Sequence, residues 1–256
     1  MISIAIANQK GGVGKTTTTA ALGSLLCNRG FRVLLIDMDS QASLSKGLGI
    51  KAESKSIADV MGSQLEGTLT LREVTQSIRD GLSIVPSNIL LYTTEMGLVS
   101  RMGRETILKK AIGELVEFDV VLIDCPPSMG MLTINGLVAS RGVIIPSLPA
   151  EADLQGVRSL IETIRSIEAA GLNPKIDLLG VLIVQFDGRT NEHNRIADTI
   201  RESNHPVLGF IPRSVRVQES VAAHKPVSEY APHCKPALAY HEVADKIVNW
   251  INHQGS

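Results

Sequence analysis

The apolar run Ile2–Ala7 leads straight into Lys10-Gly-Gly-Val-Gly-Lys-Thr-Thr17. This order predicts a strand, a glycine-rich turn and a helix opening at the turn. Such a turn aims several backbone N–H groups at one point and adds the positive end of a helix dipole, so it suits a phosphate. Gly11, Gly12, Val13 and Gly14 form the cradle. Lys15 supplies a point charge for β- and γ-phosphates, and the Thr16 hydroxyl is placed for Mg²⁺, with Thr17 beside it.

The usual phosphate-loop pattern has glycine five residues before the Gly14-Lys15 pair, but here that position is Gln9. A second lysine, Lys10, follows it at the mouth of the loop. Lys10 is poorly placed to wrap its own phosphates but could reach a nucleotide held by another copy. The expectation is therefore a homodimer with nucleotide between the copies.

Further apolar runs of strand length are Val33–Ile36, Leu82–Val85, Val120–Ile123, Val143–Ile145, Leu178–Val184 and Val207–Ile211. Most are continuous rather than alternating, which marks strands buried on both faces. Amphipathic patterns lie between them. Thr16–Asn28 is closed by Gly30. Glu105–Glu117 carries the stripe Ile107, Leu108, Ala111, Ile112, Leu115, Val116. Asp153–Ala170 carries Leu154, Val157, Leu160, Ile161, Ile164, Ile167. Residues 191–203 and 237–252 read as helices, and the polar stretch 51–80 as short helices at an edge. The alternation predicts an α/β fold: a doubly wound, mostly parallel sheet with helices on both faces and ligands at the carboxyl ends of the strands. With 256 residues and no internal repeat, one domain over 1–256 is the simplest count.

Two strands end in carboxylates, in Leu34-Leu-Ile-Asp37-Met-Asp39 and Val120-Val-Leu-Ile-Asp124-Cys-Pro-Pro127. Asp124 suits a Mg²⁺ site reached through water, with Asp37 supporting the metal shell. Asp39 is the candidate for activating the attacking water. Pro126 and Pro127 stiffen the loop behind Asp124, so that loop is suited to reporting a γ-phosphate.

Formal net charge is −1, so DNA binding needs a local patch or two aligned weak ones. Cys27, Cys125 and Cys234 are widely spaced, without a Cys-x-x-Cys pair, which fits a reducing cytoplasm and no structural zinc. No signal peptide is expected before Ile2, and no run approaches the ~20 apolar residues that span a bilayer.

Together these segments resemble the ParA family of partition ATPases, within the ParA/MinD class of deviant Walker ATPases. The resemblance extends through Asp124–Ser128, Leu132–Asn135, Asp187-Gly-Arg-Thr190 and Ile211-Pro-Arg-Ser-Val-Arg216. It implies an ATP-driven monomer–dimer cycle. Lys10 would contact the partner copy's phosphates, Lys15, Thr16 and Thr17 would bind ATP and Mg²⁺, and Asp39 would activate water. Only the resemblance separates Asp39 from Asp37 in role. Pro212 and Arg213 would border adenine, and Arg189 and Arg216 would contact non-specific DNA in the nucleoid. A ParB-like or other adaptor would stimulate hydrolysis and so segregate or space a cargo such as a plasmid, a chromosome or a carboxysome.

From charge alone, Arg189 reads as a turn cap and Arg216 as a partner of Glu219. Ala150-Glu-Ala-Asp153 replaces the acidic, tyrosine-rich segment of many relatives, and Ser214 stands where many have Asn. The sequence starts at the first strand, without the helix-turn-helix of larger relatives, so operator-specific repression is not expected.

The main alternative is a MinD-like membrane-cycling ATPase, which needs a basic amphipathic C-terminal helix. Tyr240–Ile251 has one lysine against Glu242 and Asp245, so a packed helix is expected, with Trp250 at a core edge and no membrane partner. A metal-cluster carrier needs paired cysteines, and a carboxylate-phosphorylating synthetase needs a substrate cleft that the sequence does not reveal.

Overall fold

The structure is a computed structural model describing residues 1–51, 55–62, 69–202 and 205–254. Among the described residues, eight strands form one sheet: β1 (Ile2–Ile6), β2 (Val33–Asp37), β3 (Gln76–Arg79), β4 (Leu82–Val85), β5 (Val120–Asp124), β6 (Gly142–Ser147), β7 (Asp177–Phe186) and β8 (Val207–Pro212). Their order is β3-β4-β2-β5-β1-β6-β7-β8. Only β3 runs antiparallel, paired with β4; the other pairings are parallel.

The helices are α1 (Lys15–Asn28), α2 (Ser43–Gly47), α3 (Ile57–Gly62), α4 (Leu71–Val74), α5 (Leu90–Leu98) and α6 (Ile107–Gly113). They continue with α7 (Met131–Ala139), α8 (Glu151–Ala169), α9 (Asn191–Glu202), α10 (Val215–Ala222), α11 (Val227–Tyr230) and α12 (Lys235–Gln254).

Side chains alternate across a strand, so each central strand feeds two cores. Ala5, Leu34, Ile36, Val121 and Ile123 point into one, which Leu108, Leu137, Leu160 and Ile196 complete from α6, α7, α8 and α9. Ile4, Ile6, Val33, Leu35, Val120 and Leu122 point into the other, closed by Leu22 and Leu26 of α1 and by Val243 and Ile247 of α12. Both sides of the sheet are covered, as continuous apolar runs require.

Three expectations change. The segment 51–80 holds α3 and α4 as expected, but also β3, an edge strand joined to β4 through Asp80-Gly81. Residues 52–54 and 63–68 of that segment lie outside the described residues. The helix expected over Glu105–Glu117 is shorter: a 3₁₀ turn at Arg104–Thr106 precedes α6, which ends at Gly113. Buried Asn135 pins that turn, donating to the Arg104 carbonyl at 2.7 Å and accepting from the Leu108 N–H at 3.1 Å. Leu115 is buried, but Val116, beyond the helix, is 79% exposed and leaves the expected stripe.

The C-terminal helix packs as expected. Val243, Ile247 and Ile251 are buried, and the Trp250 indole donates to Asp177 at 2.9 Å from the core edge. No helix among the described residues is long and apolar enough to cross a membrane.

Candidate nucleotide site

β1 ends in the middle of the sheet, and the chain leaves it through the glycine turn. Gly12 and Gly14 have φ of 75° and 79°, a left-handed backbone that side chains with a Cβ resist. Gly14 is the N-cap of α1, and the Thr18 N–H closes the first intrahelical bond on its carbonyl at 2.9 Å. The N–H groups of Lys15, Thr16 and Thr17 therefore precede the intrahelical ladder and suit an anion.

The turn opens into a cleft of about 740 Å³. Gly11, Gly12, Gly14, Lys15, Thr16, Thr17, Asp39 and Pro127 line its phosphate end, and Val184, Pro212, Arg213, Val217 and Gln218 are among its other walls. Val13 is buried beneath the loop rather than in the lining. Lys15 is also mostly buried, and its Nζ donates to the Lys10 carbonyl at 2.9 Å. Desolvation lowers its pKa, against the pull of Asp124, Cys125 and Asp39. A phosphate entering the loop would supply the anion this ammonium needs.

Asp37 and Asp124 stand in register on neighbouring parallel strands. Both are buried. Asp124 accepts from the Thr16 hydroxyl at 2.8 Å and the Thr19 hydroxyl at 3.2 Å. Burial, then the nearby Asp37 charge, pushes its pKa up to about 8. Asp37 accepts from the Ser45 hydroxyl at 2.7 Å, the Ser45 N–H at 2.9 Å and the Asp39 N–H at 3.2 Å. Burial raises it to about 6 despite those bonds. Asp37 thus holds the loop that carries Asp39 to the cleft wall, and Asp39 caps its own turn by accepting from the Gln41 N–H at 2.9 Å.

The donor set fits Mg²⁺ bound chiefly by a hydroxyl, water and phosphate. Thr16 already touches Asp124, and a divalent cation there would favour two ionised carboxylates that burial now disfavours. Among the described residues no three acidic, histidine or cysteine side chains form a cage of their own.

The other candidates lie around this centre. Arg213 follows β8, and its N–H donates to the Phe186 carbonyl at 3.1 Å. Ser214 caps α10, accepting from the Arg216 N–H at 3.2 Å. Arg216 pairs with Glu219 at 2.8 Å, and Arg189 braces its own turn by pairing with Asp187 at 2.7 Å, as the charge pattern suggested; both arginine side chains are exposed. The side-chain and backbone contacts of Arg189 hold the Asp187 carboxyl far below the usual range. Lys10 forms an ion pair within its own chain, with Asp153 at 2.7 Å.

Sequence reasoning missed Thr19, Ser45 and Gln218, and it read the Asp153 segment only as a departure from relatives. The unbroken run Thr16–Thr19 is a visible signal for Thr19, which lies one helical turn beyond Lys15. Nothing local marks Ser45 or Asp153.

A family model described as AAA domain matches residues 1–178. A second, described as 4Fe-4S iron sulfur cluster binding proteins of the NifH/frxC family, matches residues 105–253. The sporulation initiation inhibitor protein Soj of Bacillus subtilis is 36% identical, over 95% of this chain and 97% of its own length. The chromosome-partitioning ATPase Soj of Thermus thermophilus is 36% identical, over 96% and 94%. A Mycobacterium smegmatis structure described as cobyrinic acid a,c-diamide synthase with bound ADP and magnesium superposes with a TM-score of 0.85 at 35% identity, covering 100% of this chain and 96% of that one. With the loop, the paired carboxylates and these relatives, the chain belongs to the ParA/MinD family of P-loop ATPases, on its Soj/ParA branch.

Proposed function

We propose that this ATPase dimerises around ATP, holds DNA without sequence preference while ATP is intact, and releases it on adaptor-stimulated hydrolysis to position a cargo. The carrying observation is that both candidate DNA arginines sit on segments that also build the nucleotide cleft. Arg216 lies between the cleft residues Val215 and Val217 on α10, and Arg189 follows Val184 and Gln185 at the end of β7. A change at the nucleotide has a short path to both.

Within the site, Lys15 and the N–H groups of the turn bind and orient the β- and γ-phosphates. Bound Mg²⁺ would be held by Thr16 and, through water, by Asp124, and it supplies charge neutralisation. Asp39 accepts the proton of the attacking water or orients it, because it alone among the strand-end carboxylates lines the cleft. Asp37 sets the position of Asp39. Lys10 serves the second copy's phosphates. Each arginine offers a planar fork to a DNA phosphate, in competition with Asp187 and Glu219, and phosphate contacts release counterions.

Two rival readings have less support. Membrane cycling needs a free amphipathic terminal helix, whereas the apolar face of α12 is buried in the core. A synthetase needs a seat for a carboxylate beside the phosphate loop, but the cations lining the cleft, Lys15 and Arg213, are both assigned to nucleotide here.

The test is binding to random duplex DNA and, in parallel, to anionic liposomes, with ATP, ADP and no nucleotide, at two salt concentrations. The reading expects DNA binding only with ATP, weakened by salt and lost in Arg189→Ala or Arg216→Ala. Liposome binding with ATP and no DNA binding would replace it with the membrane reading.

A further inference from the structure

His224 joins two walls of the nucleotide cleft from behind. Its Nδ1 lies 2.9 Å from the Lys46 carbonyl, 178 residues away in the sequence. A carbonyl only accepts, so the Nδ1 carries the proton and donates. Lys46 sits in α2, the short helix that follows Asp39, and its carbonyl also accepts from the Gly49 N–H at 3.0 Å. Among the described residues no other hydrogen bond joins the segment 38–50 to the segment 213–226.

The backbone on both sides fits this contact. α10 ends at Ala222, and the chain turns off it with His224 at φ 54°, the left-handed closure usual for glycine. The His224 N–H donates to the Val221 carbonyl at 3.1 Å, and the Lys225 N–H to the Ser220 carbonyl at 3.0 Å. Opposite, Gly49 has φ 71°, and a Cβ there would meet the His224 Cβ at 3.4 Å. The histidine therefore lies against bare backbone.

Both joined segments face the cleft, with Asp39, Gln41 and Ser43 on one wall and Val217, Gln218 and Val221 on another. α2 in turn fixes Asp39: Ser45 gives Asp37 its N–H and hydroxyl, and Asp37 takes the Asp39 N–H. A helix of five residues is too short to hold itself. Packing adds little at the junction of α2 and α10, where a cavity of about 40 Å³ is lined by Gly47, Leu48, Val221 and Lys225.

We propose that His224 is a positioning residue for hydrolysis: by tying α2 to α10 it keeps the Asp39 loop closed over the phosphate end of the cleft. This rests on the reading of Asp39 as the residue that handles the attacking water. Without the bond, the phosphate loop still holds ATP, but Asp39 spends less time beside the γ-phosphate and turnover falls.

The test compares three variants. His224→Gly removes the imidazole and suits the left-handed backbone. His224→Asn tolerates the same backbone and carries an amide nitrogen where the Nδ1 stands, whereas His224→Asp has the shape of Asn without the donor. Trypsin cuts after Lys46, the residue whose carbonyl His224 holds, so cleavage at Lys46–Gly47 in the folded chain reads the opening of α2. Phosphate release at saturating ATP reads turnover, a fluorescent ATP analogue reads nucleotide affinity, and urea unfolding reads stability. The expected result for His224→Gly is cleavage about three- to tenfold faster and turnover lower by a similar factor, the scale of one hydrogen bond, with affinity for the analogue unchanged. His224→Asn should restore both, and His224→Asp neither.

A merely structural role would lower the urea midpoint without separating turnover from nucleotide affinity, and Asn would not rescue it. Equal cleavage of the parent and His224→Gly, or equal turnover of the Asn and Asp variants, overturns the tether. If Asp39→Ala is inactive while His224→Gly turns over normally, the positioning role falls and the reading of Asp39 stands. If Asp39→Ala turns over normally, that reading falls and takes the role of His224 with it.

Discussion

Asp39 and Asp37 are two residues apart, yet only one of them reaches the cleft. Asp37 spends its oxygens on Ser45 and on the Asp39 N–H, inside the core. Asp39→Ala should leave ATP bound and reduce phosphate release by roughly a hundredfold or more, the usual scale for losing a positioned base. A normal rate would remove Asp39 from the role. Lys15→Ala should abolish nucleotide binding, measured with the same fluorescent analogue. The glycine turn and the residues it brings to the cleft were legible because they are neighbours in sequence, fixed by one turn. Lys10–Asp153 and Thr19–Asp124 were not, since 143 and 105 residues separate the partners and only the strand order brings them together.

The strands were legible as elements because burial on both faces leaves continuous apolar runs. β3 escaped because an edge strand is half polar: Gln76 and Arg79 sit in it, and only the Asp80-Gly81 turn announces the hairpin. The end of α6 was hidden for a related reason, since Val116 is apolar but faces solvent. Elements also meet closely where the sequence gives no sign. At Gly180 of β7, φ is 146° and an added Cβ would come within 2.6 Å of the Pro206 carbonyl oxygen. Backbone cannot yield as a side chain does, so Gly180→Ala should cost about 1–3 kcal/mol, seen as a lower urea midpoint.

The starts of β2 and β5 are tied by Arg32 and Asp119 at 2.7 Å. Arg32 holds the Asp119 carboxyl down, to about 2. A depressed carboxylate adds stability above its unfolded pKa and loses it as pH falls through the folded one. Asp119→Asn should therefore lower the melting temperature slightly at pH 7, on the order of 1–2 °C for so exposed a pair, with the difference shrinking as pH falls toward the folded pKa and vanishing below it.

At the scale of the whole molecule, the sheet brings three groups of candidate residues to one edge. β1 ends in the phosphate loop, β2 and β5 end in the carboxylates, and β7 and β8 end beside the two exposed arginines. The parallel order of these strands makes that convergence unavoidable, because all their carboxyl ends point the same way. On the proposed function, net charge near zero would leave each copy a weak DNA ligand, and two copies held together by nucleotide would give what one cannot.

The most direct measurement is sedimentation of the Asp39→Ala chain with a fluorescent random duplex, comparing ATP with ADP. The account predicts that chains join the DNA in pairs with ATP and stay off it with ADP. DNA carrying single chains, or bound equally with either nucleotide, would contradict it.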